Sequence, residues 1–317
     1  EAIIDSIRKT RIHPKLKREV CPGLKPYSWT ELPAAVEGAD LVLSGVSSFG
    51  VEWFAEHAGP YLKPDVPVLA ITKGLHAAEN GDLQILPDRL NDLLPADKRG
   101  KISLNAVTGP CIAQELSVRR QTGVYFCGRD QAVLERLRGL FATPYYHIRV
   151  STDFTGAEAC AAMKNAYAIC INFPIGVYEK EGPDGIAHMY NPQAALFAQS
   201  MREMGALVDF LGGQRQALVE LAGSGDLYVT VFGGRNARLG KMLGQGYTYA
   251  AARENLAGET LEGIEIMTRV CRALPKLEAR GLLKQADFPL LNHLYQVVYE
   301  GARVDVPWQS FFADILV

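Results

Sequence analysis

The chain has 317 residues, enough for two domains or one large one, and 48% hydrophobic with 21% charged residues is the composition of a globular protein with sizeable cores. Its 33 Lys and Arg stand against 35 Asp and Glu, for a net charge of −2, so no global field draws it to nucleic acid or to an anionic membrane. No apolar run is long enough to be a membrane helix and the opening EAIIDSIRKTR is not a signal peptide, so neither membrane insertion nor secretion is expected.

In chain order, residues 39–46 (ADLVLSGV) read as a buried strand and 51–62 (VEWFAEHAGPYL) as a helix. Residues 66–72 (VPVLAIT), 102–109 (ISLNAVTG) and 123–128 (GVYFCG) read as further strands, 131–141 as a helix and 145–150 as a last strand. Continuous Val/Ile/Leu runs interleaved with helices predict a doubly wound α/β domain, a parallel sheet covered on both faces, over residues 1–150. Beyond about residue 150 the strand signal stops. Residues 153–173, 191–213, 248–256, 260–274 and 289–301 all carry helical patterns, the second with Asn191 as cap, Pro192 as first helical residue and glycine at its end. Residues 151–317 are therefore expected to form an all-helical domain, joined to the first at a packed junction.

Absences also inform. The six cysteines (Cys21, Cys111, Cys127, Cys160, Cys170, Cys271) are scattered without a CxxC, which reads as reduced thiols and a cytoplasmic protein. The histidines show no ligand spacing, so no metal is expected. A dinucleotide-binding sheet opens with a strand, a glycine-rich turn and a helix; Gly23, the one early glycine, lies in the loop CPGLKP. The expectation is a Rossmann domain whose first βαβ unit, roughly 30 residues, is missing from a trimmed chain.

Four segments carry chemistry. Lys73, at the carboxyl end of the strand in VLAITKGL, either ends that strand in solvent or faces a ligand at the sheet edge. The turn AVTGPCIAQE, through Gly109 and Pro110, is either an ordinary strand–helix connection or an anion-binding set of free N–H groups. Lys164, in CAAMKNAYAIC, shares a helical face with Ala157, Cys160, Ala161, Ala168 and Ile171. It either snorkels to the surface or is buried, and burial would lower its pKa into the range of a base working near neutrality. In GSGDLYVTVFGGRN, Asp226 and Thr230 fall on one face in either a strand or a helix, Gly233 and Gly234 admit close backbone approach, and Arg235 and Asn236 suit phosphate. The bland alternative there is a capped turn with a surface Arg–Asp pair.

Taken in order, ITKGL, TGPCIAQE, GAEACAAMKNAYAI, GSGDLYVTVFGGRNARLG and GETLEG, with IRKTRIHPKL before them, resemble the NAD(P)-dependent glycerol-3-phosphate dehydrogenases over essentially the whole chain. The resemblance implies reversible reduction of dihydroxyacetone phosphate to sn-glycerol 3-phosphate with NAD or NADP, by a cytoplasmic homodimer acting on a small phosphorylated substrate. It implies Lys164 as proton donor and acceptor, Lys73 as a contact to substrate and cofactor that polarises the carbonyl, and Asp226 as the electrostatic partner of Lys164. Gly109, Cys111, Asn165, Thr230, Gly234, Arg235 and Asn236 are implied on the substrate. Phe49, Ala113, Arg235, Thr260 and Glu262 are implied on the cofactor. Three departures stand out: Cys111 replaces a Ser or Thr, GVSSFG lacks a proline, and the glycine fingerprint is absent. The competing readings are a non-enzymatic remnant that binds a phosphorylated ligand or a partner, and an enzyme for another phosphorylated 2-hydroxy substrate.

Overall fold

The apolar runs of the first half become short strands, and the computed structural model, which describes residues 2–182 and 189–313, joins five of them into one sheet. The chain divides into two units. One takes the residues up to 72 together with 87–107 and 111–152; the other takes 73–86, 108–110 and 153 onward.

The first unit begins with α1 (Ala2–Thr10), the antiparallel hairpin β1 (Ile12–His13) and β2 (Arg18–Glu19), and α2 (Leu32–Val36). Next come β3 (Val42–Ser44), α3 (Val51–His57) and β4 (Val68–Ala70). The hairpin β5 (Leu75–Ala77) and β6 (Leu83–Ile85) belongs to the second unit. The first unit resumes within α4 (Leu86–Leu93) and continues through β7 (Leu104–Thr108), α5 (Ala113–Ser117), β8 (Thr122–Gly128), α6 (Gln131–Phe141) and β9 (Tyr146–Ser151). The sheet order is β3-β4-β7-β8-β9. β3, β4 and β7 are parallel, with Leu43, Leu69 and Asn105 in register; β8 and β9 are parallel to each other. Between the two groups the direction reverses: the Cys127 thiol donates to the Ala106 carbonyl, while Gly128 lies against Asn105, one residue further on in β8 and one further back in β7. Beta-branched and aromatic side chains of β8 and β9 (Val124, Phe126, Ile148) pack with Leu69 against Leu134 and Leu137 of α6. Asp130 caps that helix by accepting from the Ala132 and Val133 N–H groups. One expectation needs correcting: β3 is an edge strand, covered by a neighbour on one side only, so Leu43 is exposed, not buried.

The second unit is built on α7 (Phe154–Ile171), in which every residue from Gly156 to Ile171 is buried. A helix whose residues are mostly apolar all round has no solvent face to offer, and others surround it. These are α8 (Phe173–Glu181), α9 (Tyr190–Leu211), α10 (Gln216–Val219), α11 (Asp226–Val231), α12 (Gly234–Gly244), α13 (Tyr249–Asn255), α14 (Glu262–Ala279), α15 (Pro289–Tyr299) and α16 (Trp308–Phe312). Of these, α8, α9, α10, α11, α12, α14 and α15 touch α7 directly. Glycine sets how closely some of them approach: a side chain at Gly240 of α12 would collide with the Ile169 carbonyl, and one at Gly176 of α8 with the Lys241 carbonyl. The start of α9 differs from expectation. Met189 is its N-cap, and Asn191 and Pro192 lie inside the first turn, where a proline removes no intrahelical bond. Its end on Gly212, in the left-handed conformation, follows the sequence signal.

The hairpin β5–β6 has no counterpart in the sequence reading. It is fastened to α14: the Arg269 guanidinium donates to the Leu75 carbonyl at 2.6 Å, the Lys276 ammonium to the Glu79 carbonyl at 2.5 Å, and Arg280 pairs with Asp82 at 2.6 Å. This attachment is why the chain immediately after β4, beginning at Lys73, belongs to the helical unit. No helix among the described residues is long and apolar enough to cross a membrane.

Candidate active site

The stretch 221–236 folds as three pieces. Leu221–Gly225 forms a single π turn, α11 follows, and Gly233 opens α12. Inserted π turns re-aim the residues that follow them. Here the residue that follows is Asp226, first in α11 and 1% exposed.

Its carboxylate is shared between two lysines. Oδ2 accepts from the Lys73 ammonium at 2.7 Å, and Oδ1 accepts from the Lys164 ammonium. Lys73 also reaches the Gly109 carbonyl, more distantly at 3.4 Å. The Lys164 side chain is 9% exposed and that of Lys73 20%. Burying two ammonium groups against one carboxylate leaves an excess of positive charge in a poorly solvated place, and the two amines share that strain unequally. Burial and then the Lys73 charge lower Lys164 to about 8, with Asp226 opposing. Burial would lower Lys73 too, but the Asp226 carboxylate outweighs it, and Lys73 is held above its ordinary value. One amine is thus permanently charged while the other exchanges a proton near neutral pH. Glu158, buried on α7, adds a second negative charge felt by Lys73. Sequence reasoning missed it, although an acid inside an apolar helix is the same kind of signal as Lys164 itself.

Asn165 is 8% exposed and joins a second group. Its carbonyl accepts from the Asn236 amide at 3.2 Å, and its own amide lies 3.5 Å from Glu262 Oε2. The same Glu262 oxygen pairs with Arg235 at 3.1 Å. This answers one alternative left open by the sequence: Arg235 pairs with Glu262, not with Asp226. Gly263 makes the arrangement compact, since a Cβ there would come within 2.5 Å of the Asn165 carbonyl oxygen and 2.9 Å of Asn236 Oδ1. That Asn236 oxygen is buried with no donor of its own. Arg235 and Asn236 lie in the first turn of α12, which has no side-chain cap, so its leading N–H groups and dipole remain available to an anion.

The other sequence candidates are placed as follows. The Thr230 hydroxyl donates to the Asp226 carbonyl at 2.6 Å, bracing α11, so only its lone pairs remain for a substrate. Gly234 is exposed with φ at +82°, and Gly109 is buried with φ at +101°. In the first unit, Phe49 lies in a short 3-10 turn after β3 and is 53% exposed; Cys111 and Ala113 are exposed at the start of α5. Thr260 is exposed just before α14. Lys73, Gly109, Lys164, Asn165, Asp226, Thr230, Gly234, Arg235, Asn236, Thr260 and Glu262 all belong to the second unit; Phe49, Cys111 and Ala113 belong to the first. Among the described residues, no cluster of His, Cys, Asp and Glu could hold a metal.

The residues present fit parts of a nicotinamide dinucleotide. Taken each by itself, the first unit offers the exposed apolar surface of Phe49, and the second unit offers the Glu262 carboxylate and the donorless Asn236 oxygen, which can accept from hydroxyl or carboxamide groups.

Comparison with known proteins agrees with this chemistry. The profile described as NAD-dependent glycerol-3-phosphate dehydrogenase N-terminus matches residues 1–133, and that described as the C-terminus of the same enzymes matches 153–309. The chain is 33% identical to the NADP(+)-dependent glycerol-3-phosphate dehydrogenase of Archaeoglobus fulgidus over 306 residues, 96% of this chain and 86% of that protein. It is 26% identical to a glycerol-3-phosphate dehydrogenase (NAD(P)+) of Bacillus velezensis, over 94% of this chain and 82% of the relative. In fold it is similar to a solved glycerol-3-phosphate dehydrogenase from Plasmodium falciparum, with a TM-score of 0.80 at 19% identity, covering 99% of this chain and 84% of the other. A Coxiella burnetii structure gives 0.74 at 24% identity, covering 98% and 88%. With identity sustained along nearly the whole of both sequences and both halves matched in order, the chain belongs to the NAD(P)-dependent glycerol-3-phosphate dehydrogenase family.

Proposed function

We propose that the protein interconverts dihydroxyacetone phosphate and sn-glycerol 3-phosphate with NAD or NADP, and that Lys164 carries the proton. The observation that carries this reading is the pair of buried lysines on one buried carboxylate, one held charged and the other titrating at about 8. A nicotinamide, when bound, would supply or accept the hydride at substrate C2. In the reducing direction, the Lys164 ammonium gives its proton to the C2 oxygen as negative charge develops there; in the oxidising direction, the neutral amine takes it back. Lys73, charged in both, steadies that oxygen electrostatically in a site with little water to compete. Asp226 keeps both amines in place. The substrate's phosphate is assigned to the uncapped start of α12 and to Arg235, whose planar fork suits it, with Asn165 and Asn236 on its hydroxyls.

Lys164→Ala tests the assignment. Positioned acid–base catalysis contributes about 10²–10⁴-fold, so turnover should fall by that factor in both directions while the fold persists by circular dichroism. Near-normal turnover would remove Lys164 from the mechanism. A homodimer is proposed on the same resemblance, and light scattering of the purified protein tests it.

A further inference from the structure

We propose that Glu262 acts as a stand-in anion before substrate binds, holding Arg235 ready and yielding it to the substrate's phosphate. This deepens the function proposed above and rests on the placement of phosphate at Arg235. Glu262 is the first residue of α14, where the helix dipole favours an acid. A single oxygen, Oε2, takes the Arg235 guanidinium at 3.1 Å and faces the Asn165 amide at 3.5 Å, and Asn165 in turn accepts from Asn236 at 3.2 Å. Three residues assigned to the substrate, from two different helices, are therefore ordered by one carboxylate that is not itself suited to an anionic ligand.

The strength of the pair fits temporary use. The Arg235 side chain is 37% exposed and that of Glu262 25%, and partly exposed ion pairs contribute little to stability. A phosphate dianion brings more charge and more acceptors than a carboxylate, and it can also use the uncapped N–H groups of α12. It can displace Glu262, whereas a simple monovalent anion gains nothing by the exchange. The carboxylate therefore acts as a filter, keeping the guanidinium ordered while setting a threshold that only a dianion crosses.

The test is direct binding of inorganic phosphate, by calorimetry, to the full chain without cofactor or substrate. Glu262→Gln removes the competing charge while keeping the size, and should tighten phosphate by about two- to fivefold, the range an exposed ion pair supports. Glu262→Asp keeps the charge and should leave phosphate affinity near that of the parent. In an Arg235→Ala background, the Gln substitution should have no further effect. If Arg235→Ala weakens phosphate but Glu262→Gln leaves it unchanged or weaker, the stand-in role is refuted while the phosphate site stands. If Arg235→Ala leaves phosphate binding intact, the placement of phosphate is wrong, and this inference falls with it.

Discussion

Replacing Lys73 by Met should move the titration of Lys164 upward, because the charge of Lys73 is the second cause of its depression. Two unit charges roughly 5 Å apart repel by about 3 kcal/mol at an effective dielectric of about 20, and the two ammonium groups, which share one carboxylate and contact each other, are at least that close. At about 1.4 kcal/mol per pH unit, that is roughly two pH units. Lys73 is a fifth exposed, so solvent screens part of the repulsion, and a rise of about one to two pH units from about 8 is the expectation. Burial then remains, opposed by an Asp226 carboxylate that Lys164 no longer shares. The assay is the pH dependence of kcat/KM for sn-glycerol 3-phosphate oxidation, followed by the absorbance of the reduced cofactor. Oxidation needs the neutral amine, so the parent's rate should climb through about pH 8 and level off above it, and reduction should fall through the same region. Since Lys73 is itself assigned to substrate, the plateau will drop in the variant. The position of the limb, not its height, is the readout. A limb that stays at about 8, or moves down, would refute the electrostatic account of how Lys164 is tuned.

Two further outcomes follow from the packing. Gly263→Ala places a methyl group 2.5 Å from the Asn165 carbonyl oxygen, so α14 must back away from α7. Overpacking of this kind costs about 1–3 kcal/mol, to be read as a lowered Tm, and an unchanged Tm would contradict the close approach. Glu203 on α9 is wholly buried and accepts from the Gln199 amide, the Tyr167 hydroxyl and the Leu290 and Leu291 N–H groups at the start of α15. Burial nonetheless raises it from 4.5 to about 7. Between those values the folded state holds the proton more tightly than the unfolded chain, so stability falls as pH rises through that window and levels off above it, by up to about 3 kcal/mol. Urea denaturation of Glu203→Gln should show this slope flattened; the same slope in the variant would point to another group.

The sequence was legible where one property repeats. The mostly small and apolar run of α7 marks a buried helix, and the lysine inside it is conspicuous for that reason. The strands of the sheet were visible as apolar runs, though their observed cores are shorter than the runs. The hairpin β5–β6 was missed because its three-residue strands are too short for a pattern, yet Asn80-Gly81, in the loop between Leu75–Ala77 and Leu83–Ile85, was a usable turn signal. Pairings across long separations were not legible at all: Asp226 lies 153 residues from Lys73, and Arg235 had several acids to choose from. Thr230 shows a subtler loss. Its helical face was readable, but not that its hydroxyl turns back to its own helix, because that depends on a backbone carbonyl that every residue has.

The glycines that bring α12 against Ile169 of α7, and α8 against Lys241 of α12, leave main chain touching main chain, with no side chain between to flex or repack. On the roles proposed above, a substrate bound at Arg235 and protonated by Lys164 would be held by two helices, α12 and α7, packed main chain against main chain. The span between the two grips is then a fixed gauge, set by peptide geometry. A ligand one carbon longer or shorter between phosphate and hydroxyl would bind at one end and miss at the other, so chain length is measured by the scaffold before any contact to the carbon skeleton is made.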